Sequence, residues 1–228
     1  MPDVERQIFS HILVPLDGSA EANIAVAQAC TLAASSGATI TLVRVVSSAK
    51  EVTDAEAFLA DIARQYATSN QRIETVARDG DAASAIVEEI RRRGADLVVM
   101  RTRGRSGLTR AVLGSVAEQM VKNSPTPVWL LPPGVRAARA LESILVPVDG
   151  SPGGSLALGI ARELAAHSGT GTRLSLLQVV VPMPLYFGHD VMHGPVYVDP
   201  YWDEVAQTTA REYVTSIATQ LGKTGIRA

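Results

Sequence analysis

The sequence contains little that would favour nucleic-acid binding, membrane insertion or disulfide formation. It has a single cysteine, Cys30, which excludes an internal disulfide and suits a reducing compartment. The 21 Lys and Arg residues against 23 Asp and Glu give a net charge of -2, so no overall basic field attracts nucleic acid. No run of about 18 apolar residues occurs, and the first residues lack the basic and apolar regions of a signal peptide. These absences predict a soluble, cytoplasmic protein without nucleic-acid or membrane partners.

A repeat is the most informative feature that the sequence does contain. Residues 11–19 read HILVPLDGS and residues 143–151 read SILVPVDGS, with seven of nine positions identical at an offset of 132. A repeat at a fixed offset predicts one structural module used twice. We therefore expect a complete domain with its linker at residues 1–140. At residues 141–228 we expect a partial second domain, whose first strand lacks one neighbour.

Apolar strands alternate with helices along the first copy. Hydrophobic residues make up 46% of the chain but aromatic residues only 4%, so the expected core consists of Ala, Val, Leu and Ile. The pattern predicts strands at 11–16, 39–46, 73–78, 96–100 and 127–131, and helices at 20–36, 53–69, 82–93 and 115–123. Strands that are apolar on both faces indicate a parallel sheet covered by helices on each side. Right-handed crossovers then predict an α/β fold with a doubly wound, five-stranded, Rossmann-like sheet.

The second copy repeats only the beginning of this pattern. It predicts strands at 144–148 and 173–180, helices at 152–168 and from about 202 to 221, and the first residues of a third strand at 226. Counterparts of the fourth and fifth strands are missing from the sequence up to residue 228.

A loop rich in arginine and glycine follows the predicted fourth strand. Residues 101–113 contain Arg101, Arg103, Arg105, Arg110, Gly104 and Gly107, and no acid. If strand four lies beside strand one, this loop meets Asp17 at the carboxyl ends of the strands, where open α/β sheets bind ligands. Glycines let backbone amides approach a ligand, and the positive end of a helix beginning at Ser115 favours an anion, most simply a polyphosphate.

Two other interpretations of these residues remain open. The loop could be a solvated basic segment in which Ser115 caps the helix and Glu118 completes a capping box. Asp17, which precedes Gly-Ser, could serve only its own turn.

The first copy resembles a universal stress protein domain over nearly its whole length. Its ILVPLDGS segment resembles the first strand and turn of that family, and residues 102–118 resemble the family's phosphate loop. In members that bind ATP, the loop motif is Gly, two residues, Gly, nine residues, Gly, and then Ser or Thr. Gly104, Gly114 and Ser115 match this motif, whereas Arg101 stands at the position of the first glycine.

The resemblance implies an ATP site and a role for each matching residue. Asp17 and the backbone around Val45 would hold the adenine, with Pro15 beside them. The ribose and phosphates would contact Met100, Gly104, Gly114, Ser115 and Val116. Mg²⁺ could accompany the ATP, and no other metal is expected because His189 and His193 lie between glycines, where a helix is disfavoured.

Arg101 has two opposite expectations. Its side chain could occupy the ribose–phosphate space, or its guanidinium could pair with a phosphate. We expect the steric loss to exceed the gain, because a long side chain usually swings outward to solvent. On that expectation, Arg101→Gly tightens ATP binding.

The resemblance favours a nucleotide-binding regulatory protein of the stress response. No positioned general base is evident, so we do not expect an enzyme. The alternative is a dimerisation or interaction module that has lost its nucleotide. The second copy has Asp149 and Val179 in equivalent places but no phosphate loop, which predicts one site per chain. Strand five, at 127–132, is an apolar edge strand and predicts a homodimer.

Overall fold

The chain folds into two compact units, Met1–Arg139 and Ala140–Ala228, called here the N-terminal and C-terminal units. The structure is a computed structural model that describes residues 9–19, 22–69, 71–102, 113–137, 141–167, 171–181, 184–186, 196–198 and 200–228. None of the helices in these ranges combines the length and hydrophobicity that a bilayer crossing requires.

The N-terminal unit is a five-stranded parallel sheet with helices on its faces. Its strands are β1 His11–Pro15, β2 Thr39–Val46, β3 Ile73–Asp79, β4 Leu97–Arg101 and β5 Val128–Leu131. Its helices are α1 Asn23–Ser36, α2 Val52–Tyr66, α3 Ala82–Arg93 and α4 Ser115–Asn123. The strand order is β3-β2-β1-β4-β5, and every neighbouring pair is parallel. The predicted doubly wound sheet is confirmed, with β4 beside β1.

Burial of β1 fixes the position of the residues that follow it. Ile12, Leu13 and Val14 are fully excluded from solvent because β1 lies at the centre of the sheet. Leu13 packs in one cluster with Ile86 of α3 and Met120 of α4. Burial of each such side chain contributes about 1.5–3 kcal/mol. The carboxyl end of β1 is therefore a rigid support for a site.

The C-terminal unit begins with the same strand-helix-strand order as the N-terminal unit. Its elements are β6 Ser143–Pro147, α5 Pro152–His167, β7 Arg173–Leu177, β8 Pro184–Tyr186, β9 Val196–Val198 and α6 Pro200–Lys223. Strands β6 and β7 pair in parallel, and a parallel bridge joins Arg173 to Arg227. The short antiparallel pair β8 and β9 was not expected from the sequence.

The prediction of a strand at 173–180 was wrong at its carboxyl end, because β7 stops at Leu177. Its counterpart β2 continues to Val46 since β3 pairs with it as far as Asp79. In the described part of the C-terminal unit, β7 gains only the bridge at Arg173 on that side. Residues 178–180 therefore lack the ladder that would extend the strand.

A candidate ligand site at the carboxyl ends of the strands

A cavity of about 230 Å³ opens at the carboxyl ends of β1, β2 and β4. Eight of the nine residues predicted for the site line it: Pro15, Asp17, Val45, Met100, Arg101, Gly114, Ser115 and Val116. The ninth, Gly104, lies outside the described residues. The fold thus brings together segments of the chain that are about a hundred residues apart in sequence.

Sequence reasoning did not identify the apolar residues that complete the cavity. These are Leu16, Ala22, Val43, Ala82, Ile86 and Ala117, together with the polar Thr102. Ala82 and Ile86 belong to the first turns of α3, which begins at the same edge of the sheet. Helix α3 is amphipathic and begins directly after β3. This position in the sequence was the one signal that could have indicated that the first turns of α3 lie at the ligand-binding edge of the sheet.

Asp17 forms a tight turn directly after β1. Its Oδ1 accepts hydrogen bonds from the N–H of Ser19 at 3.0 Å and from the Ser19 hydroxyl at 2.7 Å. Gly18 has a φ of 84°, and a Cβ on it would lie 2.9 Å from Nη2 of Arg44. Asp17 therefore does serve its turn. Its Oδ2 has no hydrogen-bond partner among the described residues, so one carboxylate oxygen remains for a ligand.

The backbone of Val45 points beyond the end of β1. In a parallel sheet, the N–H and C=O of one residue face the same neighbouring strand, and those of the next residue face the other. The N–H of Leu16 donates to the Val43 carbonyl at 2.8 Å, and that of Gly80 donates to the Val46 carbonyl at 3.0 Å. Val45 therefore faces β1, whose last paired residue is Pro15, opposite Val43. Its N–H and C=O lie past the last bond of the ladder, at the cavity.

The amino end of α4 closes the other side of the cavity. Gly114 is the N-cap residue and makes no side-chain capping bond, and the first intrahelical bond runs from the N–H of Glu118 to the Gly114 carbonyl at 2.9 Å. The N–H groups of Ser115, Val116 and Ala117 precede that bond, and all three residues line the cavity. These amides and the helix dipole favour an anion.

The proposed capping box at this helix was wrong. Ser115 is the first helical residue and not the cap, and the Glu118 carboxylate pairs with Lys122 at 2.7 Å, one turn later. The Glu118 carboxylate therefore bonds along the helix and not back to the N-cap residue.

The two ends of the arginine- and glycine-rich loop are joined to each other and to β5. The N–H of Gly114 donates to the Thr102 carbonyl at 2.7 Å, and the N–H of Thr102 donates to the Leu131 carbonyl at 3.0 Å. The loop therefore leaves and re-enters the fold at one point beside the cavity. Residues 103–112 themselves lie outside the described ranges.

Arg101, which takes the place of the first glycine of the motif, stands at the junction of β4 and the loop. It is the last residue of β4, where it pairs with Leu131 of β5, and it lines the cavity. The residue is half-buried and its Nε atom is excluded from solvent. Part of the side chain is therefore packed inside the protein.

In the part of the C-terminal unit that the structure describes, the turn after β6 resembles the Asp17 turn. The N–H of Ser151 donates to Oδ1 of Asp149 at 2.9 Å, as Ser19 does to Asp17. The hydrogen bonds from Ser151 lower the pKa of the Asp149 carboxyl below its ordinary value. Within the described part of this unit, no element corresponds to β4, the loop or α4.

No metal centre is formed by the residues that the structure describes. Their His, Cys, Asp and Glu side chains do not gather in groups of three or more that could hold an ion. His189 and His193 lie outside the described ranges.

Comparison with known proteins identifies the family. The model of the universal stress protein family matches residues 9–132 of the 228. A universal stress protein of Methanocaldococcus jannaschii is 45% identical over 60 residues, which are 26% of this chain and 35% of that protein. One of Mycobacterium tuberculosis is 36% identical over 74 residues, 32% of this chain and 23% of that protein. The matches therefore span about a third or less of these relatives.

A solved structure shows the same fold over most of the chain. The crystal structure of a universal stress protein from Archaeoglobus fulgidus aligns with a TM-score of 0.68, over 97% of this chain and 75% of that one, at 20% identity. The family model covers all five strands of the N-terminal sheet. The chain belongs to the universal stress protein family.

Proposed function

We propose that the chain is a regulatory protein of the stress response that binds one adenine nucleotide, ATP, in its N-terminal unit. The observation that carries this proposal is the convergence of Asp17, Val45, Arg101 and the amino end of α4 on one cavity. One wall of this cavity offers paired hydrogen-bonding groups for a base, and the other offers amides and a cation for phosphates.

The wall formed by β1 and β2 suits an adenine. The edge of adenine carries an amino donor beside a ring-nitrogen acceptor, and Val45 offers a carbonyl and an N–H at the end of the β1–β2 ladder. Oδ2 of Asp17 is a second acceptor within the same wall. Val43 and Ile86 supply apolar surface against which a flat ring can pack.

The wall formed by β4 and α4 suits phosphates. A cavity of about 230 Å³ is smaller than the roughly 300–1,000 Å³ of pockets that enclose whole drug-sized ligands. We infer that it encloses the base and ribose, and that the phosphates extend towards Gly114 and Ser115, where the α4 amides are available. Gly104 and Val116 complete this part of the proposed site, and Mg²⁺ could accompany the phosphates.

Binding, rather than catalysis, is the proposed activity. Among the described residues that line the cavity, Asp17 is the one acid, and one of its carboxylate oxygens accepts a hydrogen bond from Ser19. Hydrolysis would need a base positioned against an attacking water. We therefore propose that the bound state itself is the signal.

We also propose that the C-terminal unit is a partial second copy that takes no nucleotide of its own. The β6-α5-β7 order, the Asp149 turn and the bridge to Arg227 support a second copy. The described residues of this unit include no counterpart of β4 and α4, which form the proposed phosphate-binding wall of the first site. We therefore expect one nucleotide per chain.

We further propose that β5 forms a homodimer. It is the outer strand of the sheet, and Val128, Trp129 and Leu130 on it are only half-buried. An apolar edge of this kind pairs readily with a second copy.

Mass spectrometry of small molecules released from the purified, denatured full chain tests the function. We expect an adenine nucleotide at close to one per chain. A protein that releases none, and that takes up none when ATP is added, would instead fit the interaction module that has lost its nucleotide.

A further inference from the structure

We propose that Arg101 makes the affinity of the site depend on the phosphate charge of the ligand. The residue stands where ATP-binding relatives have glycine, and the inference rests on the proposed binding of an adenine nucleotide in the N-terminal unit. It reverses the direction expected for Arg101 from the sequence.

The location of the side chain is the first argument. Arg101 ends β4 and is held there by pairing with Leu131. Part of its side chain, including Nε, is buried within the protein, and the residue is one of those that line the cavity. Gly114 and Ser115, at the amino end of α4, line the same cavity. The arginine and the helix dipole thus place positive charge in one region.

The charge is the second argument. A guanidinium stays protonated throughout the physiological pH range, and it can donate two hydrogen bonds to one phosphate. In a half-buried position, its attraction for an anion is screened less than at an exposed surface. Arg101 is the one basic residue among the described residues that line the cavity, so it would supply most of the selectivity for charge there.

The remaining space is the third argument. The cavity of about 230 Å³ exists with the Arg101 side chain in place. The side chain therefore does not fill the site. A glycine would widen the cavity but would remove the cation.

Calorimetric titration of the full chain with adenosine, AMP, ADP and ATP tests this role. For the native chain, we expect affinity to rise with the number of phosphates. In Arg101→Gln, which keeps much of the side-chain length but not the charge, ATP affinity should fall about 10- to 100-fold, the loss of a hydrogen bond to a charged group. Adenosine affinity should fall much less than ATP affinity, Arg101→Gly should behave like Arg101→Gln, and Arg101→Lys should retain part of the ATP affinity.

Arg64→Gln is the matched control, because Arg64 lies on α2 with 78% of its side chain exposed and the change in net charge is the same. ATP binding that is unchanged or tighter in Arg101→Gln and Arg101→Gly would overturn the inference while leaving the proposed function intact. Loss of adenosine binding in Arg101→Gln would also overturn it, since the side chain would then support the cavity instead of reading charge. A native chain that binds neither adenosine nor ATP would refute the proposed function itself, and the role of Arg101 with it.

Discussion

Replacing Glu89 with glutamine tests how α3, which contributes two residues to the cavity lining, is held against the sheet. The Glu89 side chain is 1% exposed, and its carboxylate accepts hydrogen bonds from Arg78 at 2.7 Å, Arg92 at 2.8 Å and Arg93 at 2.9 Å. Arg78 belongs to β3, whereas Arg92 and Arg93 lie in the last turn of α3. One buried carboxylate therefore joins the end of the helix to an edge strand of the sheet.

The loss of stability expected for Glu89→Gln depends on which arginine charges would remain buried without a partner. Removing one partner of a fully buried ion pair costs roughly 3–5 kcal/mol. Arg78 and Arg92 are 40% and 51% exposed, so their charges would regain water in the variant. The relevant loss is then that of hydrogen bonds to a charged group, about 1.5–3 kcal/mol. We expect Glu89→Gln to lower the free energy of unfolding of the N-terminal unit by this amount.

The difference between native and variant protein should also depend on pH. Burial raises the pKa of the Glu89 carboxyl, the hydrogen bonds from Arg92, Arg93 and Arg78 lower it, and the net pKa lies below its ordinary value. A carboxyl whose pKa is lower in the folded than in the unfolded state contributes its full stabilisation above the unfolded pKa, which is about 4.3. This stabilisation is lost as the pH falls through the folded pKa. The difference in free energy of unfolding between the native protein and Glu89→Gln should be constant between about pH 7 and about pH 5.5, and it should shrink below about pH 4.

Urea unfolding followed by tryptophan fluorescence measures this difference. The chain has two tryptophans, one in each unit, so Trp129 reports on the N-terminal unit alone in a Trp202→Phe background. A loss of about 2 kcal/mol shifts the midpoint by about 1 M urea. Glu88→Gln, the same change at the exposed neighbouring residue, is the control. Equal shifts for both variants, or a Glu89→Gln effect that persists unchanged at pH 3, would refute the reasoning.

Two further predictions concern the turn after β1 and the edge of the sheet. Gly18→Ala should destabilise the N-terminal unit more than Gly94→Ala: both glycines have positive φ, 84° and 64°, but only a Cβ on Gly18 would meet the Arg44 guanidinium. The conformational cost common to both is about 1–2 kcal/mol, and equal losses in urea unfolding would argue against the contact. Trp129→Arg should convert the proposed homodimer into a monomer in sedimentation velocity, whereas a native chain that is already monomeric at high concentration would rule out the β5 interface.

Local chemistry explains which elements the sequence located well. Helix α3 spans the predicted 82–93 because both of its ends carry a signal: Asp81 accepts a hydrogen bond from the N–H of Ser84 at 2.9 Å, and Gly94 adopts a φ of 64° at the C-cap. Helix α1 was predicted to begin at 20 but begins at Asn23, and the sequence offers no comparable cap there, since Ala22 makes no side-chain capping bond. The two strands of the β8–β9 hairpin have three residues each, too few to show an alternating pattern.

Tertiary arrangement explains what the sequence could not locate in the site. The motif residues on β1, β4 and α4 were assigned through resemblance, and the fold gathers the described ones at one cavity. The contribution of Ala82 and Ile86 depends on how α3 packs across the sheet, and no pattern within α3 marks it. The direction of the Arg101 side chain depends on its neighbours in space, which no local sequence pattern specifies.

Titration of the full chain with ATP, beside Gly114→Val, tests the central claim most directly. Gly114 is the N-cap of α4 at the cavity, and a branched side chain there would obstruct the amides proposed to bind phosphate. Gly159→Val is the control, because Gly159 lies in α5 of the C-terminal unit with open space where its Cβ would be. We predict one ATP per chain in the native protein and in Gly159→Val, and a loss of binding in Gly114→Val. Two ATP per chain, no binding to the native chain, or unchanged affinity in Gly114→Val would contradict a single nucleotide site at this end of the sheet.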